Sequence, residues 1–174
     1  PGGSIDAQPF IDSDGTPYLV WKSAGVPGSA PTKLKARRLN ADGLSFAFGS
    51  SAVSLMQTGL PWEGNGIENP SMVKSGGAYW LIWSGNEWES AHYRMGQARC
   101  DGPLGPCTRT SNVPVLGNDA TQLGPGGGTL FVEPSGRMRL MYHSWNKPYT
   151  SYPSDPSCDA PGLCTSQGQR RMRV

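Results

Sequence analysis

A repeat centred on tight turns is the feature of this sequence that most restricts its fold. Three stretches each combine an apolar start, a turn with glycine and a run of β-forming residues, which is the pattern of a hairpin. These stretches are residues 10–21, 72–83 and 131–142. Their turn glycines, Gly15, Gly77 and Gly136, follow one another at steps of 62 and 59 residues. A near-constant step of this size predicts a repeat architecture.

A further strand-like segment follows each hairpin, at residues 33–39, 93–99 and 169–174. A hairpin with outer strands, repeated about every 60 residues, matches a propeller blade of four antiparallel strands. We therefore expect an all-β fold with about three blades. The expected repeats are approximately 4–62, 66–120 and 124–174 within one partial propeller domain, 1–174. Because three blades do not close a ring of four to eight, we expect a piece of a larger propeller. A solenoid or an open sandwich is the structural alternative.

The composition agrees with this fold and excludes some partners. The chain has 24 Gly and 16 Pro and only 16% charged residues, which favours turns and strands over helices. Its 15 basic residues are scattered apart from a group near the end, whereas nucleic-acid binding needs a clustered basic face. No apolar run approaches the roughly 20 residues of a membrane helix. We expect neither a nucleic acid nor a membrane as partner.

Four cysteines form two close pairs, Cys100 with Cys107 and Cys158 with Cys164, each around a loop rich in Gly and Pro. Two short disulfide loops predict an exported, extracellular protein. The alternative is a zinc site, but these spacings do not match those of structural zinc knuckles, and no His lies near either pair. No signal peptide is visible at the start, so we expect that it has been removed or lies upstream.

Two carboxylates precede the first two hairpins at equivalent positions. In a propeller the segment before each hairpin is the innermost strand of a blade, lining the central channel. Asp6 and Glu68 lie in such segments and are 62 residues apart, in register with the turn glycines. Cleavage of a glycosidic bond requires carboxylates that act together. Glu63 is the competing candidate, but its segment does not match that of Asp6, and Glu68 is favoured.

Four motifs in order resemble family 43 glycoside hydrolases. They are Ile5-Asp6 with the turn that ends at Gly15, then Ile67-Glu68-Asn69-Pro70, then Gly124-Pro125-Gly126, then Tyr142-His143-Ser144-Trp145. The similarity spans nearly the whole chain. It implies a five-bladed β-propeller, of which this chain would be the C-terminal part.

The resemblance also implies roles for individual residues. Glu68 would be the general acid that protonates the leaving oxygen, and Asp6 would orient it and favour its protonated form by like charge. Arg170 matches an active-site arginine that meets substrate hydroxyls and a carboxylate. The family's general base is an Asp in an Asp-Pro context, and none precedes Asp6. We therefore expect the base in N-terminal blades upstream of Pro1.

The remaining candidates each have a structural and a functional interpretation. Trp62 and Trp88 could stack on sugar faces or belong to the core. His143 lies in an apolar strand and is either a hydrogen-bonded structural histidine or a substrate contact. Many relatives have a metal-contacting His in place of Gly127, so we expect neither calcium nor another cofactor here.

The expected function is hydrolysis of arabinofuranosyl or xylosyl linkages in plant-type polysaccharides, by an inverting acid/base mechanism. The chain alone is expected to be inactive because it lacks the base. The alternative is a carbohydrate-binding propeller that does not hydrolyse its ligand, which would use the same channel without a base.

Overall fold

The protein is described by a computed structural model that covers residues 3–26, 28–148, 150 and 168–174. These residues form three antiparallel sheets, each of which is called a blade below. The first blade contains β1 (Ser4–Ile11), β2 (Pro17–Ser23), β3 (Lys33–Arg38) and β4 (Val53–Gln57). The second contains β5 (Ile67–Ser75), β6 (Ala78–Gly85), β7 (Arg94–Cys100) and β8 (Cys107–Arg109). The third contains β9 (Gln122–Val132), β10 (Met138–Asn146) and β11 (Arg170–Arg173).

The strands of each blade pair in chain order, which confirms the all-β prediction. The strands of the first two blades lie within residues 4–62 and 66–120, whereas β9 begins two residues before the expected third repeat, 124–174. A single 3-10 turn (Pro61–Glu63) is the helical element of the described residues, and none of their helices is long and apolar enough to cross a membrane.

Alternation along β6 packs the second blade against both of its neighbours. Leu81 and Trp83 belong to one buried cluster that also contains Val20 and Leu34 of the first blade. Ile82, between them in sequence, belongs to a second cluster that reaches the third blade. Successive side chains of a strand point to opposite faces, so one strand supplies both interfaces. This explains why the run from Leu81 is apolar without interruption.

The repeated glycine has a conformational cause. Gly15, Gly77 and Gly136 have φ angles of 83°, 74° and 83°, a region that residues with a Cβ rarely adopt. Each of them lies in the turn that joins the first two strands of its blade. The period read from the sequence is therefore the period of the blades.

Cys100 and Cys107 form a disulfide that joins β7 to β8, as predicted. The two residues are also direct partners in the strand register. The predicted pair Cys158 and Cys164 lies outside the described residues, and export stays a prediction.

Glu63 is an internal anchor of the second blade. Its side chain is fully buried and accepts hydrogen bonds from the backbone N–H groups of Gly59 and Leu60 at 2.7 and 2.9 Å. The indole of Trp83 donates to the same carboxylate at 3.1 Å, and the guanidinium of Arg109 pairs with it at 2.9 Å. A buried carboxylate with four donors is fully paired within the fold, so Glu63 has a structural role, and the choice of Glu68 over it as the acid stays a prediction.

We expect Glu63→Ala to lower the free energy of unfolding by about 3–5 kcal/mol, because it leaves the charge of Arg109 without its buried partner. Denaturant unfolding measures this loss. The matched control is Glu133→Ala, which breaks an exposed pair with Arg139 and should cost about 1 kcal/mol or less. Losses of the same small size in both variants would contradict the anchoring role.

Candidate active site

The first strands of the first and second blades depart from regular geometry beside the two predicted carboxylates. The pairing of β1 with β2 shifts between Ile5 and Gln8, and that of β5 with β6 shifts between Glu68 and Ser71. Asp6 and Asn69 have positive φ angles of 55° and 49°, which are uncommon for residues with a side chain. Bulges of this kind re-aim side chains and recur beside active sites.

Asn69 connects the first strands of all three blades. Its backbone N–H donates to Oδ2 of Asp6 at 3.0 Å, which joins β5 to β1. Its side-chain amide donates to the carbonyl of Gly128 in β9 at 3.1 Å. These two bonds hold an unfavourable backbone angle in place. The carboxylate of Asp6 therefore lies against the residue that follows Glu68.

Both oxygens of Glu68 are held by donors from other strands or loops. Nζ of Lys22, in β2, donates to Oε2 at 2.8 Å. The hydroxyl of Tyr93, just before β7, donates to Oε1 at 2.8 Å. The side chain of Glu68 keeps 21% of its surface exposed, so a ligand can reach it. The predicted acid is thus oriented and accessible.

Glu68 lies in the wall of a polar pocket of about 320 Å³ between the first and second blades. Lys22 lines the pocket on the side of the first blade, and Asn86 and Trp88 line it on the side of the second. Trp88 is 37% exposed. An open pocket with carboxylates, an amide and an aromatic ring offers the contacts that a sugar requires.

Tyr93 and His143 extend the site towards the third blade. Their rings stack with centroids 5.9 Å apart and an angle of 10° between planes. Burial, and then the negative charge of Glu68, raise the pKa of Tyr93 above its ordinary value. The phenol therefore stays protonated and remains a donor to Glu68.

His143 is held in its neutral form. Burial, followed by the positive charge of Arg170, lowers the pKa of His143 to about 4, against a smaller opposing effect of Glu68. Its Nδ1 is buried and has no hydrogen-bond partner among the described residues. The hydrogen-bonded structural histidine is therefore not supported at this nitrogen, and the predicted substrate contact stays a prediction.

Arg170 lies with two tryptophans at the junction of the second and third blades. Its guanidinium carbon is 4.6 Å from the centre of the Trp88 ring and 5.6 Å from that of Trp145. The two indoles are nearly parallel, with centroids 6.4 Å apart. Arg170 and Trp88, both predicted to bind substrate, therefore come together beside the Glu68 pocket.

Trp62 does not join this group. Its ring stacks on Trp83 with centroids 6.3 Å apart, and it packs closely over Gly85 and Gly96. It is not among the residues that line the pocket of Glu68. This placement fits the core interpretation of Trp62, and a sugar contact by this ring stays a prediction without structural support.

The residues around Gly127 do not fit the metal contact found in many relatives. A Cβ on Gly127 would collide with the imidazole of His143, so a histidine at position 127 is incompatible with the present place of that ring. Within the described parts of the chain, no three His, Cys, Asp or Glu residues cluster as a metal site requires.

Sequence reasoning missed Lys22, Tyr93 and Asn69. For Lys22 a signal was present, because Lys22, Ser84 and His143 each lie seven residues after a turn glycine. Ser84 also meets a neighbouring blade, since its hydroxyl accepts a hydrogen bond from the backbone N–H of Gly127 at 2.8 Å. This repeat position therefore faces other blades in every case.

The sequence also matches a family of known enzymes. The family described as glycosyl hydrolases family 43 matches residues 1–161. The chain belongs to this family. The resemblance seen in the four motifs is thereby confirmed.

Individual family 43 relatives agree with this assignment. The chain is 27% identical over 144 residues to the β-D-galactofuranosidase xynD of Aspergillus niger, covering 80% of this chain and 37% of that protein. A thermostable family-43 glycoside hydrolase of known structure superposes with a TM-score of 0.73 at 26% identity, over 98% of this chain and 54% of the other. An endo-1,4-β-xylanase from Bacteroides thetaiotaomicron gives a TM-score of 0.71 at 30% identity, over 83% and 50%.

The chain therefore spans about half the length of the family 43 structures it matches, and less of the curated relative. Its three blades align with about half of a five-bladed propeller, which confirms the predicted fold class.

We expect His143 to make stability depend on pH. Its pKa is about 4 in the folded protein, against an ordinary value of 6.5. As the pH falls from about 6.5 to about 4, the unfolded chain therefore takes up a proton that the folded chain does not, and the free energy of unfolding decreases. Denaturant unfolding at several pH values should show this decrease, and His143→Gln should remove that component.

The matched control is His92→Gln, which removes a histidine without touching His143 and should keep the His143-dependent slope. Identical pH dependence of the wild-type protein and His143→Gln would show that His143 is not held neutral by the fold.

Proposed function

We propose that this chain carries the proton-donating part of an inverting glycoside hydrolase that acts on arabinofuranosyl or xylosyl linkages in polysaccharides. The observation that carries the proposal is the carboxylate of Glu68, oriented by Lys22 and Tyr93 at an accessible pocket. A hydrogen bond joins the carboxylate of Asp6 to the backbone N–H of Asn69, the residue after Glu68. Family membership supports the reaction class.

In the proposed reaction Glu68 donates its proton to the glycosidic oxygen. The bond from the sugar carbon to that oxygen breaks, and its electron pair stays on the leaving group. A water forms the new bond to the same carbon from the opposite face and gives its proton to the general base. Asp6, bonded to the backbone of Asn69, supplies the second carboxylate of this site. Arg170 bonds to substrate hydroxyls, and the exposed ring of Trp88 packs against the sugar.

The general base belongs, in this proposal, to a part of the protein outside these 174 residues. No Asp in an Asp-Pro context precedes Asp6. Large apolar side chains are exposed on the first and third blades, which fits cover by further blades. They include Ile11 of the first blade and Phe131, Val132 and Met172 of the third.

The proposed substrate class rests on family membership, and the names of the relatives widen the range of sugars to be tested. The relative from Aspergillus niger is a β-D-galactofuranosidase, and the Bacteroides structure is an endo-1,4-β-xylanase. A substrate panel should therefore contain aryl and oligosaccharide forms of arabinofuranosides, xylosides and galactofuranosides. Hydrolysis of galactofuranosides alone would correct the proposed sugar but keep the reaction class.

We expect Glu68→Gln, in the complete protein that carries this chain, to reduce kcat by about 10²–10⁴-fold on oligosaccharides, whose leaving groups need a proton. The reduction should be much smaller on activated aryl glycosides, whose leaving groups depart without one. Steady-state kinetics on matched pairs of substrates measures the difference.

Glu133→Gln is the matched control, because it changes an exposed carboxylate of the third blade and should leave both activities unchanged. The 174-residue chain alone should turn over neither substrate, since it lacks the base. Equal losses of Glu68→Gln on both substrates would reject the acid role. Binding of oligosaccharides by the complete protein without any hydrolysis would favour the carbohydrate-binding alternative.

A further inference from the structure

Lys22 reaches from the first blade to the candidate acid of the second. Its Nζ lies 2.8 Å from Oε2 of Glu68, and the two side chains keep only 15% and 21% of their surfaces exposed. Lys22 pairs in register with Ile5, next to Asp6. The ammonium is thus carried by β2, the strand paired with the one that carries Asp6, rather than by a loop.

A structural ion pair between the same two blades exists elsewhere, at Lys74 and Asp12. Nζ of Lys74 lies 2.9 Å from Oδ1 of Asp12, and the hydroxyl of Tyr79 donates to Oδ2 at 2.6 Å. Burial acts against ionisation, but the hydrogen bonds from Tyr79 and Lys74 prevail and lower the pKa of Asp12 to about 2. The pair joins the blades at the turn of the first hairpin.

The two lysines differ in their surroundings. Lys22 and its carboxylate line one polar pocket, whereas Lys74 and Asp12 are absent from the lining of that pocket. In both pairs an ammonium and a tyrosine hydroxyl hold the two oxygens of one carboxylate. The same donor set is therefore used once at a hairpin turn, where the carboxylate of Asp12 lines no pocket among the described residues, and once at the pocket that Glu68 lines.

The two donors of Glu68 differ in whether they can also accept a hydrogen bond. An ammonium only donates hydrogen bonds, so Lys22 occupies one lone pair of Oε2 and fixes the rotation of the carboxyl group. The hydroxyl of Tyr93 donates or accepts, so it tolerates a proton on Glu68. Negative charge develops on Glu68 as the proton leaves, and a cation already in place stabilises that charge without reorganising.

We propose that Lys22 is a positioning residue for proton transfer from Glu68, which deepens the proposed function and rests on it. Lys22 holds the carboxyl group in the orientation that faces the leaving oxygen and stabilises the carboxylate left behind. The proton passes from Glu68 to the glycosidic oxygen, and the ammonium of Lys22 keeps all of its own protons. Lys22 acts through Glu68 and not on the sugar.

The test is Lys22→Met in the complete protein. We expect kcat on oligosaccharides to fall about 10- to 100-fold, the size of one lost hydrogen bond to a charged group. KM should change little, because Lys22 is not a sugar ligand. Activated aryl glycosides should be hydrolysed at nearly the wild-type rate. Lys22→Arg keeps the charge with a different reach and should show the same leaving-group dependence with a smaller loss.

Lys74→Met is the matched control, since it also removes a lysine that joins the two blades, and it should leave the ratio of the two activities unchanged. Thermal unfolding shows which of these variants are folded. If Lys22→Met does not fold, the ratio of activities in Lys22→Arg decides the question.

Two results would overturn the proposal for Lys22 while the wild-type enzyme remains active. One is an equal loss on both classes of substrate, and the other is a raised KM with kcat unchanged, which would make Lys22 a sugar ligand. A wild-type protein without hydrolytic activity would instead reject the proposed function, and this inference with it.

Discussion

The hydrogen bond from the backbone of Asn69 to the carboxylate of Asp6 is the contact on which the site depends. It joins two bulged strands at the point where both leave regular geometry, and each strand carries one of the two candidate catalytic carboxylates. The side chain of Asn69 extends the same connection to Gly128 of the third blade. Positive φ angles at Asp6 and Asn69 are retained because these bonds leave the backbone little alternative.

The repeat places candidate site residues at two equivalent positions in each blade. Asp6, Glu68 and Gly127 each lie nine residues before a turn glycine, and Lys22, Ser84 and His143 each lie seven residues after one. The first set lies on the leading strand of each blade and the second set on the strand that follows. Because the blades share one geometry, different residues at equivalent positions meet at the same centre.

Much of the fold and part of the site were predictable from the sequence. The turn glycines have positive φ angles that few other residues tolerate, so their spacing revealed the blades. Asp6 and Glu68 followed from the register of that repeat. The role of Glu63 was not predictable, because its four partners come from a turn, a neighbouring strand and β8.

The repeat indicated only that Lys22 faces another blade, and its partner, like the contacts of Tyr93, was hidden for a related reason. Lys22 lies near the end of an apolar strand, where a lysine is usually exposed to solvent. Tyr93 lies at the start of a predicted outer strand. Their shared partner, Glu68, is 46 residues from Lys22 and 25 from Tyr93. Which side chains meet between blades is decided by packing, which no local pattern contains. A structure of the complete protein carrying Glu68→Gln with a bound oligosaccharide would show whether Glu68 faces the leaving oxygen. We expect the amide at position 68 within hydrogen-bond distance of the scissile glycosidic oxygen, with Nζ of Lys22 on its other side. A scissile oxygen that lies beyond reach of position 68 would contradict it.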